Sequence, residues 1–155
     1  MNTTLTYLRN LSLTFWLGEM LFFIVIFAPR VFKVLQRPDA AKLQGEIFPA
    51  YYMAGIVCGV IFLTSVLVQY FLNRNSSPEW PVIVLALAGF VLIVFVYSYY
   101  VLTPEIKALQ PLIMLPVEQV NPEHKIAFDK LHKLSVRVNG AALLALLALL
   151  KFNNK

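Results

Sequence analysis

Charge is what this sequence has least of. Only 14% of its 155 residues are Asp, Glu, Lys or Arg, where soluble domains carry roughly 25%. That shortfall excludes an ordinary soluble domain, and the mean hydropathy of +0.72 points to lipid. Cysteine is reduced to Cys58, which excludes an internal disulfide framework and any CxxC site. A small thiol filling a packing gap is the simpler reading of it. Histidine is reduced to His124 and His132. Lying on one helix, the two cannot grip opposite faces of a single haem. No HExxH, Walker loop, GxGxxG or Ser-His-Asp spacing occurs, so neither a catalytic constellation nor a metal site is read. The alternating segments of a membrane β-barrel are missing too. The net charge of +5 is scattered around helix ends instead of gathered on one soluble face, which leaves no place for a nucleic-acid partner.

What is abundant is apolar chain. Four runs stand out, Leu11–Ala28, Phe48–Leu72, Trp80–Val101 and Leu134–Leu150, near the ~17–25 residues that cross a bilayer as helix. The first run exceeds a signal-peptide h-region and has no small-x-small cleavage site after it, so it is read as a retained helix. These runs predict an all-α integral membrane protein, one domain over residues 1–155, folded as a four-helix bundle of two hairpins. The helices are expected at about 8–32, 48–72, 80–102 and 122–150. Short amphipathic helices are expected in the loops after helices one and three. Pro38–Gln44 is one, stopped by Gly45, and the segment after Thr103-Pro104-Glu105 is the other. Asn121-Pro122-Glu123 starts the last helix ahead of its apolar run. APRVFKVLQ and TPEIKALQ, which follow the two hairpins' first helices, are faintly alike, as after a duplication. Residues 73–79 form a tight polar turn carrying an N-S-S sequon.

Four basic residues (Arg9, Arg74, Lys151, Lys155) lie on the side of the termini and nine on the side of the long loops. The positive-inside rule then places the long loops in the cytoplasm and both termini outside, across a bacterial inner membrane.

Polar residues inside so apolar a chain mark the candidate sites. On a helix, Phe128, His132, Ser135, Asn139, Ala142 and Leu146 share one stripe, while Lys130, Lys133 and Arg137 occupy the opposite face. The basic face reads as an anchor to lipid headgroups. His132, Ser135 and Asn139 are too short to snorkel and must find partners in the bundle or face a wet cavity. Five of seven tyrosines crowd the same end. Of these, Tyr51 shares a small, polar face with Gly55, Cys58 and Ser65, and Tyr97 closes helix three. Gly55-Ile-Val-Cys-Gly59 is a GxxxG motif for close helix packing, within one chain or in a dimer. Glu19 lies near the middle of the first run, where a charge costs about 3 kcal/mol on insertion scales. Two readings stand level: a protonated acid bonded to a neighbouring helix through Ser65 or Gln69, or a proton relay or cation ligand.

FWLGEMLFFIVIFAPRVF, GEIFPAYYMAG, LTPEI and FDKLHKLSVRVNGA resemble the transmembrane-protein-205-like family, catalogued as domain of unknown function 4149. The resemblance runs from about Trp16 to Asn139. Its most specific points are Trp16, Gly18, Ala28-Pro29, Phe32, Phe48-Pro49, Thr103-Pro104 and the His132, Ser135, Asn139 stripe. Glu19 departs from it, standing where relatives are expected to carry a small residue. The family implies a four-helix integral membrane protein and no settled biochemistry. A looser likeness to small haem- or copper-handling membrane proteins rests on fold analogy alone.

Three functions follow as expectations. The first is a small-ligand site lined by His132, Ser135, Asn139, Tyr51 and Tyr97, for a quinone, haem or lipid headgroup. The second is an accessory subunit of a larger membrane complex, with membrane lipids and a partner subunit or second copy as its contacts. The third is a small transporter working through Glu19.

Overall fold

A computed structural model describes residues 3–72 and 79–153; the expected turn and sequon at residues 73–78 lie outside them. The described residues are all helical apart from short connectors, and four helices are long and apolar enough to cross a membrane by length and composition. Helix α1 spans Thr3–Val34, α2 spans Arg37–Leu72, and α4 spans Pro122–Asn153. Helix α3 begins with Glu79–Tyr97 and continues through Ser98–Leu102 to Thr103–Ile113. Each helix packs against its neighbour in the chain, and α4 returns to close against α1. This is the architecture of an integral membrane protein.

The two loop helices expected as separate pieces are continuous with the spans. Pro38–Gln44 forms the opening turns of α2, which runs unbroken through Gly45 and Pro49. A glycine stops a helix by adopting a left-handed conformation, and no described glycine has positive φ. Within a helix Gly45 costs only about 1 kcal/mol relative to alanine, less than abandoning seven further turns. The segment Thr103–Ile113 likewise extends α3.

Pro29 of α1 and Pro104 of α3 are accommodated by the same device. Phe22–Phe27 and Ser98–Leu102 are π-helical, and each runs into an X-Pro step. The N–H of Ala28 donates to the carbonyl of Phe23, and that of Thr103 to the carbonyl of Ser98, both five residues back. The wider turn admits the proline ring, which would otherwise press on the preceding turn. The parallel extends the likeness between APRVFKVLQ and TPEIKALQ to backbone geometry.

The core is aromatic at its middle. Trp16, Tyr52, Phe62 and Phe95 are buried almost completely, with Leu13, Met20, Val66, Val91, Leu146 and Leu149 around them. The outward faces of all four helices carry large apolar side chains, including Phe15, Phe22, Ile93 and Leu144, as lipid contact requires.

Candidate functional site

Close packing at α2 brings the polar groups together. At Gly55 an added Cβ would overlap the ring of Phe95 and lie 2.6 Å from Oε1 of Glu19; at Gly59 it would lie 2.7 Å from the indole of Trp16 and 3.1 Å from Leu92. The two glycines therefore seat side chains of α1 and α3 within one chain, and α1 and α3 approach α2 through them.

Glu19 projects from α1 against Gly55, with its Oε1 buried and without a hydrogen-bond partner. Its electrostatic neighbours on α2 are Tyr51 and Cys58. The expected partners on α2 are engaged elsewhere. Ser65 donates to the carbonyl of Ile61 in its own helix at 2.7 Å, and Gln69 accepts from Arg9 at 2.8 Å. Both lie further along α2 than Gly55, past the level Glu19 reaches.

Tyr51 and Tyr52 enter a nest of rings. Tyr51 meets Phe23 at 4.7 Å between centroids, Tyr52 at 4.9 Å and Phe95 at 5.5 Å, while Tyr52 stacks on Phe48 at 5.8 Å. The hydroxyl of Tyr51 is buried and unbonded. Asn139 of α4 reaches Tyr52, not Tyr51: its Nδ2 donates to the Tyr52 hydroxyl at 2.9 Å and to the Ser135 carbonyl at 2.9 Å, with Ser135 Oγ at 3.5 Å. Ser98, fully buried on α3, adjoins the same hydroxyl, yet its Oγ makes no hydrogen bond of its own. The carbonyls of Phe23 and Ser98 each accept a π-type bond, so both irregular turns border this site, a placement common for π-turns.

Not all of the expected set converges. Ser135 and Asn139 are half-buried and Tyr51 is buried, but His132 and Tyr97 are exposed. The His132 ring stacks on Phe128 of its own helix at 6.0 Å. Its position on the stripe is one turn beyond the point where α4 enters the bundle. Tyr97 lies one residue off the buried row Val84, Ala88, Val91, Phe95, Ser98. Counting forward along that row from its apolar members finds Ser98, the residue missed. Lys130, Lys133 and Arg137 are all exposed. Among the described residues no group of three or more His, Cys, Asp or Glu is placed to hold a metal ion.

A second polar cluster, also missed, closes the end near the termini. Arg9 is buried. Its Nη1 donates to Gln69 Oε1 at 2.8 Å and its Nη2 to the carbonyl of Asn153 at 2.9 Å. Gln69 Nε2 donates to Thr6 Oγ1 at 3.1 Å, and Asn153 Nδ2 to Asn10 Oδ1 at 2.8 Å. The clasp joins α1, α2 and the last turn of α4, where a cation also meets the negative end of the helix dipole. Arg9 is thus a structural charge within the bundle, and counting it among loop charges overstates its bearing on orientation. At the opposite end Lys107 pairs with Glu46 at 2.8 Å. Beside that pair a shallow cleft of about 300 Å³ is lined by Pro49, Tyr99, Tyr100, Thr103, Pro104 and Lys107.

Comparison with known proteins matches residues 11–113 to the family described as "Domain of unknown function (DUF4149)". The chain is also similar to an "Uncharacterized protein" of Aquifex aeolicus (strain VF5), at 30% identity over 132 residues, covering 85% of this chain and 83% of the relative. No solved structure matches.

Proposed function

The chain belongs to the DUF4149 family, and on that premise we propose that it is a small proton-handling transporter of the bacterial inner membrane, working through Glu19. The motifs FWLGEMLFFIVIFAPRVF and FDKLHKLSVRVNGA support placing it among the transmembrane-protein-205-like members. The observation that carries the reading is the pairing of two unbonded groups: Glu19 Oε1 and the neighbouring Tyr51 hydroxyl, both buried among four apolar helices. An acid retained for structure alone would offset its insertion cost with a hydrogen bond to an adjacent helix. This carboxyl oxygen has none.

Size favours the proton over the larger ligands. The space around Tyr51 is filled by Phe23, Tyr52 and Phe95 at ring-packing distances, and a quinone ring would have to displace them. A haem would want an axial histidine, and His132 is exposed outside the cluster. A proton needs only oxygens within reach. The test is purified protein in liposomes loaded with a pH-sensitive dye and driven by a potassium diffusion potential. Proton uptake is expected in the native chain and lost in Glu19→Gln; equal uptake by the variant refutes the reading.

The exposed Lys130, Lys133 and Arg137 face supports a second role beside this one, as an anchor for anionic headgroups. With the long loops cytoplasmic, that face meets the anionic leaflet, and a partner subunit or second copy is the competing occupant.

A further inference from the structure

Resting on the proton-handling reading of Glu19, we infer that in the resting conformation protons reach this carboxyl from the long-loop end, along a hydrated file on the inner face of α4, and that the other end is closed until the transport cycle opens it. Burial deepens along the α4 stripe: His132 is exposed, Ser135 and Asn139 are half-buried, and Ala142, Leu146 and Leu149 are buried. The stripe is a mouth that narrows toward the bundle centre. Asn139 links it to Tyr52 at 2.9 Å, and Ser98 adjoins that hydroxyl from α3.

The stations beyond the mouth share one property. Asn139 Oδ1, Ser98 Oγ, Tyr51 OH and Glu19 Oε1 are all buried and each lacks a hydrogen-bond partner. Buried polar groups in proteins are nearly always satisfied, by protein or by ordered water. Four such atoms in succession from Asn139 to Glu19 mark where water would sit. Through such a file a proton passes from oxygen to oxygen. At its end an O–H bond forms on the Glu19 carboxylate while the hydronium that carried the proton reverts to water, and no oxidant or reductant takes part. Tyr51 and Cys58 of α2 are the titratable neighbours of Glu19; α3 presents Phe95 to it, and α4 contributes the neutral Asn139 to the file.

Beyond Glu19 the polar atoms thin out. Trp16 Nε1 lies one turn on, and the next buried unbonded oxygen, Asn153 Oδ1, belongs to the clasp itself. Between Trp16 and the clasp lie Leu13 of α1, Phe62 and Val66 of α2, and Leu146 and Leu149 of α4, each 1% exposed or less. Ser12 and Ser65 turn their hydroxyls back onto their own helices, to the carbonyls of Arg9 and Ile61. From Glu19 to Arg9 is ten residues of helix, about 15 Å, with the clasp at its end. The clasp and this dry layer are the closed side of the transporter.

The experiment uses single cysteines in a Cys58→Ala chain, in sealed vesicles of known sidedness, with the silver ion, a membrane-impermeant thiol reagent small enough to follow a file of water. With no gradient applied, Ser135→Cys and Ser98→Cys are expected to be labelled from the long-loop side, and Leu13→Cys and Val66→Cys far more slowly from either side. Failure to label Ser98→Cys, or labelling of Leu13→Cys at a similar rate, overturns the route. Should a variant fold poorly, a water-soluble carbodiimide on the native chain reads the same question. Glu19 modification, located by mass spectrometry with no gradient applied, is expected to be faster from the long-loop side, and equal or faster modification from the terminal side overturns the seal. The outcomes separate from those of the transport assay. Labelled Ser98→Cys with uptake intact in Glu19→Gln sinks the proton reading and keeps the wet file. Uptake dependent on Glu19 with silent Ser98→Cys sinks the file alone.

Discussion

Replacing Gly55 with alanine tests the packing on which the buried site depends. The added Cβ would sit 2.6 Å from Glu19 Oε1 and overlap the Phe95 ring, where carbon contacts settle near 3.5–4.0 Å. Relief requires about 1 Å of movement by α1 or α3. Phe95 cannot swing away cheaply, because Trp16, Tyr51 and Tyr52 stand against it at 5.8, 5.5 and 5.5 Å. Overpacking of this kind costs about 1–3 kcal/mol. Alanine's better helix propensity returns up to about 1 kcal/mol. With that return made in full, the net loss is up to about 2 kcal/mol, which lowers the folded-to-unfolded ratio by as much as roughly 30-fold. Gly89 and Gly140 supply the control, since an added Cβ at either meets nothing within 4 Å. The assay is denaturation by sodium dodecyl sulfate in mixed micelles, followed through tryptophan fluorescence. Gly89→Ala and Gly140→Ala should match or exceed the native midpoint and Gly55→Ala should fall below it. A Gly55→Ala midpoint equal to the controls would refute the reasoning.

Three further outcomes follow from the same contacts. Asn139→Ala strands the Tyr52 hydroxyl and should cost about 1–3 kcal/mol, whereas His132→Ala, at an exposed ring, should stay within about 0.5 kcal/mol of native; unfolding midpoints of the two compare them directly. Gln69→Ala removes one acceptor from the buried Arg9 and should lower stability by about 1.5–3 kcal/mol, measured the same way, while leaving an exposed control such as Thr64→Ala near native. Replacing Lys130, Lys133 and Arg137 together by glutamine should weaken anionic-lipid retention by about 1 kcal/mol per charge, read as loss of co-purified phospholipid in native mass spectra.

Hydropathy alone carried the architecture, because a span needs nothing subtler than a long apolar run. The helix limits were harder to read. Gly45 and Pro49 carry stop signals that hold for isolated helices, but α2 passes both, since its neighbours supply packing no local signal records. Periodicity put Ser135 and Asn139 on the inner stripe, and the same arithmetic carried His132 past the point where the bundle ends. The small, polar neighbours of Tyr51 along its helix mark it as a lining residue, and nothing in the sequence marks Tyr52. Both tyrosines prove buried, and only α4's approach decides which hydroxyl is bonded. Arg9 shows the deepest limit. Nothing near it in sequence hints that residues 69 and 153 will meet it, so a buried clasp looked like a flanking charge.

The spans are longer than a membrane is thick. Thirty-two to thirty-six residues of helix measure about 48–54 Å against a hydrocarbon slab of about 30 Å. Most of that surplus stands at one end, as a turret built from the start of α2, the end of α3 and the start of α4, buttressed by Lys107 and Glu46. Its foot is where α2 carries Pro49 within its run and where the widened turns precede Pro29 and Pro104. A sideways push on the turret therefore bends the molecule within two helical turns of Tyr51 and Ser98, so whatever grips it from outside the membrane has mechanical leverage on the buried acid.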